Sequence, residues 1–304
     1  MNKFRYSKII RKLKLFIYYC KTIIYNIISF LLPFVIKRSI KNFTNNTIEV
    51  FKDTLQIVNP VDTLDAIHKT IKENKKGAYV RFGDGDVFLL TGNNDMYQTS
   101  SERLSTEMQE AFKLKGDNIF KCLSIHSYLY GKENEMIEGN HLVSNDYANR
   151  LLSSTFQYFV GHKIYSPVAL HYCASDKPQI ANSFLKTLKK KTILFIGNEK
   201  IPGDTVRLLF GDAKHIKTSP QNAYNDIDRV ENNANSFLNK TKNYGIVVIA
   251  MGCSGRPLTK RLNNKNHNIF IFDFGSLLDG IIGFNSRPWL DITKIDYKLL
   301  LKDL

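Results

Sequence analysis

Tyr79-Val80-Arg81-Phe82-Gly83-Asp84-Gly85-Asp86 puts two carboxylates two residues apart behind a mostly apolar run. The run reads as a buried strand. The Gly-Asp-Gly-Asp that closes it reads as a tight turn, in which the glycines accept φ values that other residues resist. That backbone points Asp84 and Asp86 into one small space. Two hard oxygen ligands at a strand end suit Mg²⁺ or Mn²⁺, an ion that keeps waters and takes substrate phosphates as its remaining ligands. Asp84 and Asp86 are therefore the expected metal ligands and catalytic carboxylates, with Gly83 and Gly85 shaping the turn around them. Arg81, at the same strand end, has two readings: a partner for a diphosphate, or a structural ion pair with Asp84 or Asp86. The same residues also read as a plain Asp-Gly turn.

Other candidates are scattered. Glu199 follows the apolar Ile193 to Gly197 and reads as a general base, a ligand of a sugar hydroxyl, or a cap on the next helix. Asp273 and Asp279 flank Gly275-Ser276, and either carboxylate suits an acceptor-activating base. Gly252-Cys253-Ser254-Gly255 ahead of a helix suits a phosphate cradle on backbone N–H groups. His126, His162 and His171 form no ligand spacing and read as structural. Cys20, Cys122, Cys173 and Cys253 form no C-x-x-C pair, which excludes a zinc site or disulfide framework of that pattern and fits a reducing compartment. No phosphate loop, dinucleotide-binding glycine motif, H-E-x-x-H or G-x-S-x-G occurs.

The elements that position these residues follow from the pattern of apolar positions. Val61, Leu64, Ile67 and Ile71 recur at helical spacing, with Asp62 or Thr63 as N-cap. Thr99 to Glu102 resembles a capping box ahead of the helix face Leu104, Met108 and Phe112. Strands are expected at 119–125, 164–171, 192–196, 215–217, 246–250 and 268–274. Helices are expected at 147–160, 178–189, 203–210, 226–238 and 256–262, and residues 130–145 read as a loop, a rim or lid of a site. Apolar strands alternating with helices predict an α/β fold, a Rossmann-like, mostly parallel sheet with helices on both faces. Ligands of such sheets bind beyond the carboxyl ends of the strands. Asp84 and Asp86, Gly197 to Glu199, Ser219 to Asn222 and Gly252 to Gly255 all fall at such ends.

Arg81 to Asp86, followed by Val87-Phe88-Leu89-Leu90 and Gly92, resembles the signature of the GT-D-fold glycosyltransferases. These bacterial enzymes carry an Asp-x-Glu metal motif in an R-x-G-D-G-E setting. Thr218-Ser219-Pro220-Gln221-Asn222-Ala223-Tyr224, with Asp226 to Val230, is similar to the family's P-x-x-N-A-[FY] segment. Ile246 to Gly252 and Ile269 to Gly275 resemble its closing strand pair, so the likeness runs from about Thr63 to Gly280. It implies metal-dependent transfer of a sugar from a nucleotide-diphosphate donor, UDP-linked above all. The acceptor would be a glycan, glycoprotein or lipid-linked sugar in surface polysaccharide or glycoconjugate synthesis. It also implies that Ser219, Gln221 and Asn222 bond the donor's base or ribose. One departure stands out: Asp86 holds the family's Glu position and is one methylene shorter.

Charge supplies a second theme. The 304 residues carry a formal net charge of +15. Residues 1–50 hold ten Lys and Arg against one acid, Glu49, and so account for +9 of it. Leu15 to Ile36 is strongly apolar, broken by Lys21 and Asn26, and closed by Lys37, Arg38 and Lys41. It lacks the cleavage site of a signal peptide, and charge on both flanks argues against clean translocation. Residues 1–41 are expected to lie in or dip into an anionic membrane surface, at the cytoplasmic, inner face of the cell membrane. The alternatives are a core helix with a solvated basic end or a bilayer-spanning helix. The chain divides accordingly into this segment, residues 1–50, and one catalytic domain, residues 51–304. Nucleic acid is not an expected partner, for the aromatic-and-basic interleaving of a single-strand groove is missing. Two other functions compete: a phosphotransferase or phosphodiesterase using the same metal turn, and a basic membrane-binding protein with no chemistry.

Overall fold

The computed structural model describes residues 56–304, apart from 125–145, 156–157, 242, 285, 288–289 and 291–294. The expected membrane segment and the 130–145 loop lie outside the described residues.

Asn59 caps the first helix, α1 (Pro60–Lys72), by accepting from Asp62 N–H at 2.9 Å. Pro60 starts the helix, because a first-turn position needs no N–H. Strand β2 (Gly77–Phe82) leads directly into α2 (Asp84–Leu90). Then come α3 (Glu102–Phe112), β3 (Ile119–Leu123) and α4 (Asp146–Thr155). The cap of α3 is Ser101 rather than Thr99, its Oγ accepting from Leu104 N–H at 3.2 Å. Where one strand was expected at 164–171, only β4 (Lys163–Ile164) forms, and α5 (Ala169–Asp176) takes over. β4 pairs with β1 (Gln56–Ile57) in a separate two-stranded parallel sheet. The run Ala169 to Ala174 is buried throughout, so its apolar content carries no period that separates helix from strand.

The second half alternates as the sequence predicts. The order is α6 (Pro178–Lys189), β5 (Thr192–Asn198), α7 (Gly203–Phe210), β6 (Lys214–Thr218), α8 (Ile227–Lys240), β7 (Gly245–Ala250), α9 (Gly255–Asn263) and β8 (Ile269–Asp273). Short helices α10 (Leu277–Ile281) and α11 (Tyr297–Leu300) end the chain. Among the described residues no helix is long and apolar enough to cross a membrane.

Six strands form one wholly parallel sheet in the order β3-β2-β8-β7-β5-β6. Successive residues of each strand feed opposite cores, as the two-residue pleat requires. Ala78, Val80, Leu194, Ile196, Val247, Ile249 and Ile271 pack under α2, α3, α4, α8 and α9. Tyr79, Phe195, Val248, Phe270 and Phe272 pack under α1, α5, α6, α7, α10 and α11. The second core is aromatic, with Tyr79 stacked on Phe272 at 5.2 Å and Phe184 tilted on it at 5.1 Å. One cation enters the first core. Lys121 Nζ donates to the carbonyls of Phe112, Leu114 and Val160 at 2.7–2.8 Å, which satisfies the open C-terminal end of α3. Burial lowers its pKa to about 7.

Candidate active site

The acidic motif is the first turn of a helix. Asp84 opens α2 and Asp86 is its third residue, reaching back to accept from Gly83 N–H at 2.8 Å. Neither Gly83 nor Gly85 has positive φ, so the expected glycine-hinged turn is replaced by ordinary helical backbone. Gly85 is required for space instead: a Cβ there would come within 2.5 Å of Asp95 Oδ1 and 3.2 Å of Cys253 Sγ. Carboxylates in a first helical turn also face the positive end of the helix dipole.

The two carboxylates differ in surroundings. Asp84 is partly exposed and accepts from its neighbour Gly85 N–H at 2.8 Å. Asp86 is 2% exposed. Arg256, at the start of α9, grips it: Nη2 donates to Oδ2 at 3.0 Å, and Nε stands 3.0 Å from Oδ1. The same guanidinium reaches Asp273 Oδ2, at the end of β8, through Nη1 at 3.0 Å. Nη1 also donates to Gly252 O at 2.7 Å. Burial pushes the Asp86 carboxyl up to about 6, against the pull of Arg256 and of Gly83 N–H. Burial opposes the charge on Arg256 too, but Asp273 and Asp86 outweigh it and hold its pKa above the ordinary arginine value.

Arg81 extends the chain of charges. Its Nη1 lies 3.8 Å from Asp273 Oδ1, so its ion pair is with Asp273 across β2 and β8, not with Asp84 or Asp86. Its Nε and Nη1 are buried without a hydrogen bond. Its side chain is 15% exposed, so a guanidinium with unspent donors reaches the surface beside a strand end, an arrangement suited to an anion. Asp86, Arg256, Asp273 and Arg81 thus form an alternating row across the carboxyl ends of β2 and β8, two charges of each sign.

The loop 93–101 folds over this edge toward β6. Gln98 is buried, and its Oε1 accepts from Tyr224 N–H at 3.1 Å and Ser254 Oγ at 3.0 Å. Asn222, in the left-handed region at φ 52°, donates its N–H to Tyr97 O at 2.9 Å and accepts from Thr99 N–H at 2.8 Å through Oδ1. Its carboxamide oxygen therefore serves the loop, which ties the end of β6 to the acidic helix. Ser219 and Gln221 are exposed beside it. Glu199 is exposed at the end of β5 and donates its N–H to Thr218 O at 2.9 Å. It caps no helix, since α7 starts at Gly203 behind Pro202. Three strand spacings, roughly 14 Å, separate β5 from β2, so Glu199 does not join the charged row.

Gly252 to Ser254 form a single 3₁₀ turn that runs straight into α9, and Gly252 O is taken by Arg256. Burial, with Asp86 and Asp95, drives the Cys253 thiol well above its ordinary pKa, so it is not poised as a nucleophile. Asp279 is half-buried, is raised by that burial, and accepts from Ser286 Oγ. Arg256, Asp95 and Gln98 are the residues that motif reading misses. The one signal for Arg256 is a cation placed just after a glycine-rich strand end.

A metal fits this donor set chemically. Asp84 offers a partly exposed carboxylate, and Asp86 Oδ1 is buried without a hydrogen bond. Among the described residues no three His, Cys, Asp or Glu side chains are grouped to hold an ion, so water and substrate oxygens would complete the shell. Two surface hollows lie elsewhere. One of about 560 Å³ is lined by Arg103, Glu107, Glu231 and Arg261, whose charges neutralise one another. One of about 500 Å³ follows Lys214, Lys217 and Lys240 along the sheet edge.

A family model described as the glycosyltransferase GT-D fold matches residues 79–278. A solved structure titled a new glycosyltransferase (DUF1792) from Streptococcus sanguinis is similar, with a TM-score of 0.57 and 17% identity. The match covers 73% of this chain and 82% of that one. Another, titled as showing that the highly conserved domain of unknown function 1792 has a distinct glycosyltransferase fold, has a TM-score of 0.54 and 18% identity. It covers 81% of this chain and 86% of its own. No curated protein matches.

Proposed function

The chain belongs to the GT-D-fold glycosyltransferases, and on that premise we propose that it moves a sugar from a nucleotide-diphosphate donor, UDP-linked, to a glycan, glycoprotein or lipid-linked acceptor. The observation that carries the donor class is Arg81, a guanidinium with two unbonded nitrogens at the strand end beside Asp84 and Asp86. A diphosphate laid there meets the donors of Arg81, and its nucleoside can extend along the strand ends toward Ser219, Gln221 and Asn222.

Mg²⁺ or Mn²⁺ held by Asp84 and Asp86 would add positive charge against the charge that builds on the departing diphosphate. Arg81 acts to the same end, as a fixed cation in a site shielded from water. An acceptor hydroxyl needs a carboxylate base. Asp273 is engaged by Arg256 and Arg81, which leaves Asp279, bonded to Ser286, as the base we assign. Glu199 lies between the charged row and Ser219, a place that suits the ribose hydroxyls of the donor. The basic and apolar character of residues 1–41 supports work at the inner face of the cell membrane, on acceptors presented there.

The test is turnover of UDP-sugars by the full chain with Mn²⁺, against the Asp84→Ala, Asp86→Ala pair. Transfer by the parent and none by the pair is expected. Full activity in the pair overturns the assignment of the site, and release of inorganic phosphate instead of sugar transfer overturns the reaction class.

A further inference from the structure

Arg256 and a metal ion draw on the same oxygens. The guanidinium spans Asp86 with two nitrogens and Asp273 with a third, all at 3.0 Å. We propose that Arg256 is the resident cation of the acidic site, competing with divalent metal for Asp86, so that Mg²⁺ or Mn²⁺ gains Asp86 only when Arg256 releases it. This rests on the metal-assisted reading above and adds the residue that regulates it.

Charge balance carries the argument. Arg81 and Arg256 already neutralise Asp86 and Asp273. A divalent ion placed among them adds two positive charges to a neutral buried row, where repulsion is weakly screened. Asp84 and Asp95, both partly exposed, lie outside the row. An ion entering without its substrate therefore meets these two carboxylates and not the pair that Arg256 holds. The incoming diphosphate changes the balance, because it brings the negative charge that Arg256 needs on leaving Asp86. Nη1 remains held by Asp273 and Gly252 O, so Arg256 can pivot its Nε and Nη2 from carboxylate to phosphate without losing every partner. Metal and nucleotide then bind cooperatively, each more tightly in the presence of the other. The short reach of Asp86 fits this arrangement, since its carboxylate stays back against Gly83 N–H and Arg256 instead of extending past them. Arg256 is in this sense a positioning residue.

The experiment is titration of Mn²⁺ into the full chain, following the spin-resonance signal of free Mn²⁺. The parent should bind weakly, and Arg256→Lys, which keeps the charge, should match it. Arg256→Gln should bind at least about tenfold more tightly, the size of effect that a like charge within ~4–6 Å has on ionisation. Adding Asp84→Asn to Arg256→Gln should abolish the gain. UDP should tighten Mn²⁺ binding in the parent and much less in Arg256→Gln. Equal binding by the parent and Arg256→Gln overturns the proposal. Should Arg256→Gln not fold, Asp86→Asn decides: unchanged weak Mn²⁺ binding supports the proposal, and loss of binding shows that the ion already holds Asp86. A gain in Arg256→Gln without turnover of any nucleotide-sugar by the parent defeats the transferase reading alone. Turnover with no gain defeats this inference alone.

Discussion

Arg256 meets Asp86 across 170 residues of chain, with Nη2 donating to Oδ2 at 3.0 Å and Nε standing 3.0 Å from Oδ1. The contact joins the first turn of the helix after β2 to the first turn of the helix after β7. It explains why the third residue of that acidic turn is an aspartate. The carboxylate must touch Gly83 N–H and Arg256 at once within a closed space.

Restoring the longer acid should therefore be harmful. Asp86→Glu adds a methylene at a position 2% exposed, with both oxygens already placed. Overpacking of this kind costs about 1–3 kcal/mol. We expect urea denaturation to show a loss in that range. Stability equal to the parent's would mean that the pocket has slack and that Arg256 does not fix the carboxylate.

A second prediction concerns Gly275, which follows β8 with φ at 68°. A Cβ there would run into Arg81 Nη1 and Cζ, so the guanidinium occupies the space that only glycine leaves open. Gly275→Ala combines left-handed strain of about 1–3 kcal/mol with displacement of Arg81. Donor affinity should fall more than stability does. Calorimetric titration of UDP alongside a thermal melt separates the two, and an unchanged UDP affinity would remove Arg81 from the donor site.

The same particulars show what the sequence makes legible. The parallel sheet was readable because Ile193 to Ile196, Ile246 to Ile249 and Ile269 to Phe272 are apolar on both faces, as buried parallel strands must be. The acidic site was readable from Asp84 and Asp86, although its backbone was not. Gly-Asp-Gly-Asp signals a turn locally, and burial of Val87, Leu89 and Leu90 against α3 converts it into a helix. Arg256 was hidden for another reason. Its partners stand 170 residues away on α2 and 17 residues on at the end of β8, and no local pattern encodes a contact made only by sheet order.

Arg261 supports a third prediction, on stability alone. Its Nε and Nη2 hold Glu107 on α3 at 2.7 and 2.5 Å, while Nη1 holds Asp228 and Glu231 on α8 at 2.7 and 2.9 Å. One side chain, 11% exposed, thus joins three helices on the same face of the sheet. Arg261→Met leaves Glu107 with only Arg103 at 3.3 Å and Glu231 with only Lys265 at 3.8 Å, both more exposed cations, a loss of about 2 kcal/mol. Urea denaturation checks it, and high salt should not reproduce the effect, because these pairs are poorly screened. A change under about 0.5 kcal/mol would class the cluster as ordinary surface charge.

The pH dependence of stability supplies the last prediction. His68, on α1, stands 2.7 Å from Thr187 Oγ1 and edge-on to Phe184 at 5.6 Å. Burial above all, with Lys72 in the same direction and Asp65 in the other, lowers its pKa to about 4. The unfolded chain titrates near 6.5, so between about 6.5 and 4 the unfolded state binds the extra proton and the folded state does not. Stability is therefore intact above 6.5 and is lost as pH falls toward 4. The loss between pH 7 and pH 5 is about 2 kcal/mol from this one group. His68→Gln keeps a hydrogen-bonding partner for Thr187 and removes the titration. Urea denaturation at pH 7 and pH 5 should show the parent losing about 2 kcal/mol more than the variant. Equal losses would mean that the imidazole takes up its proton inside the fold, with α1 moving off α6 to admit it.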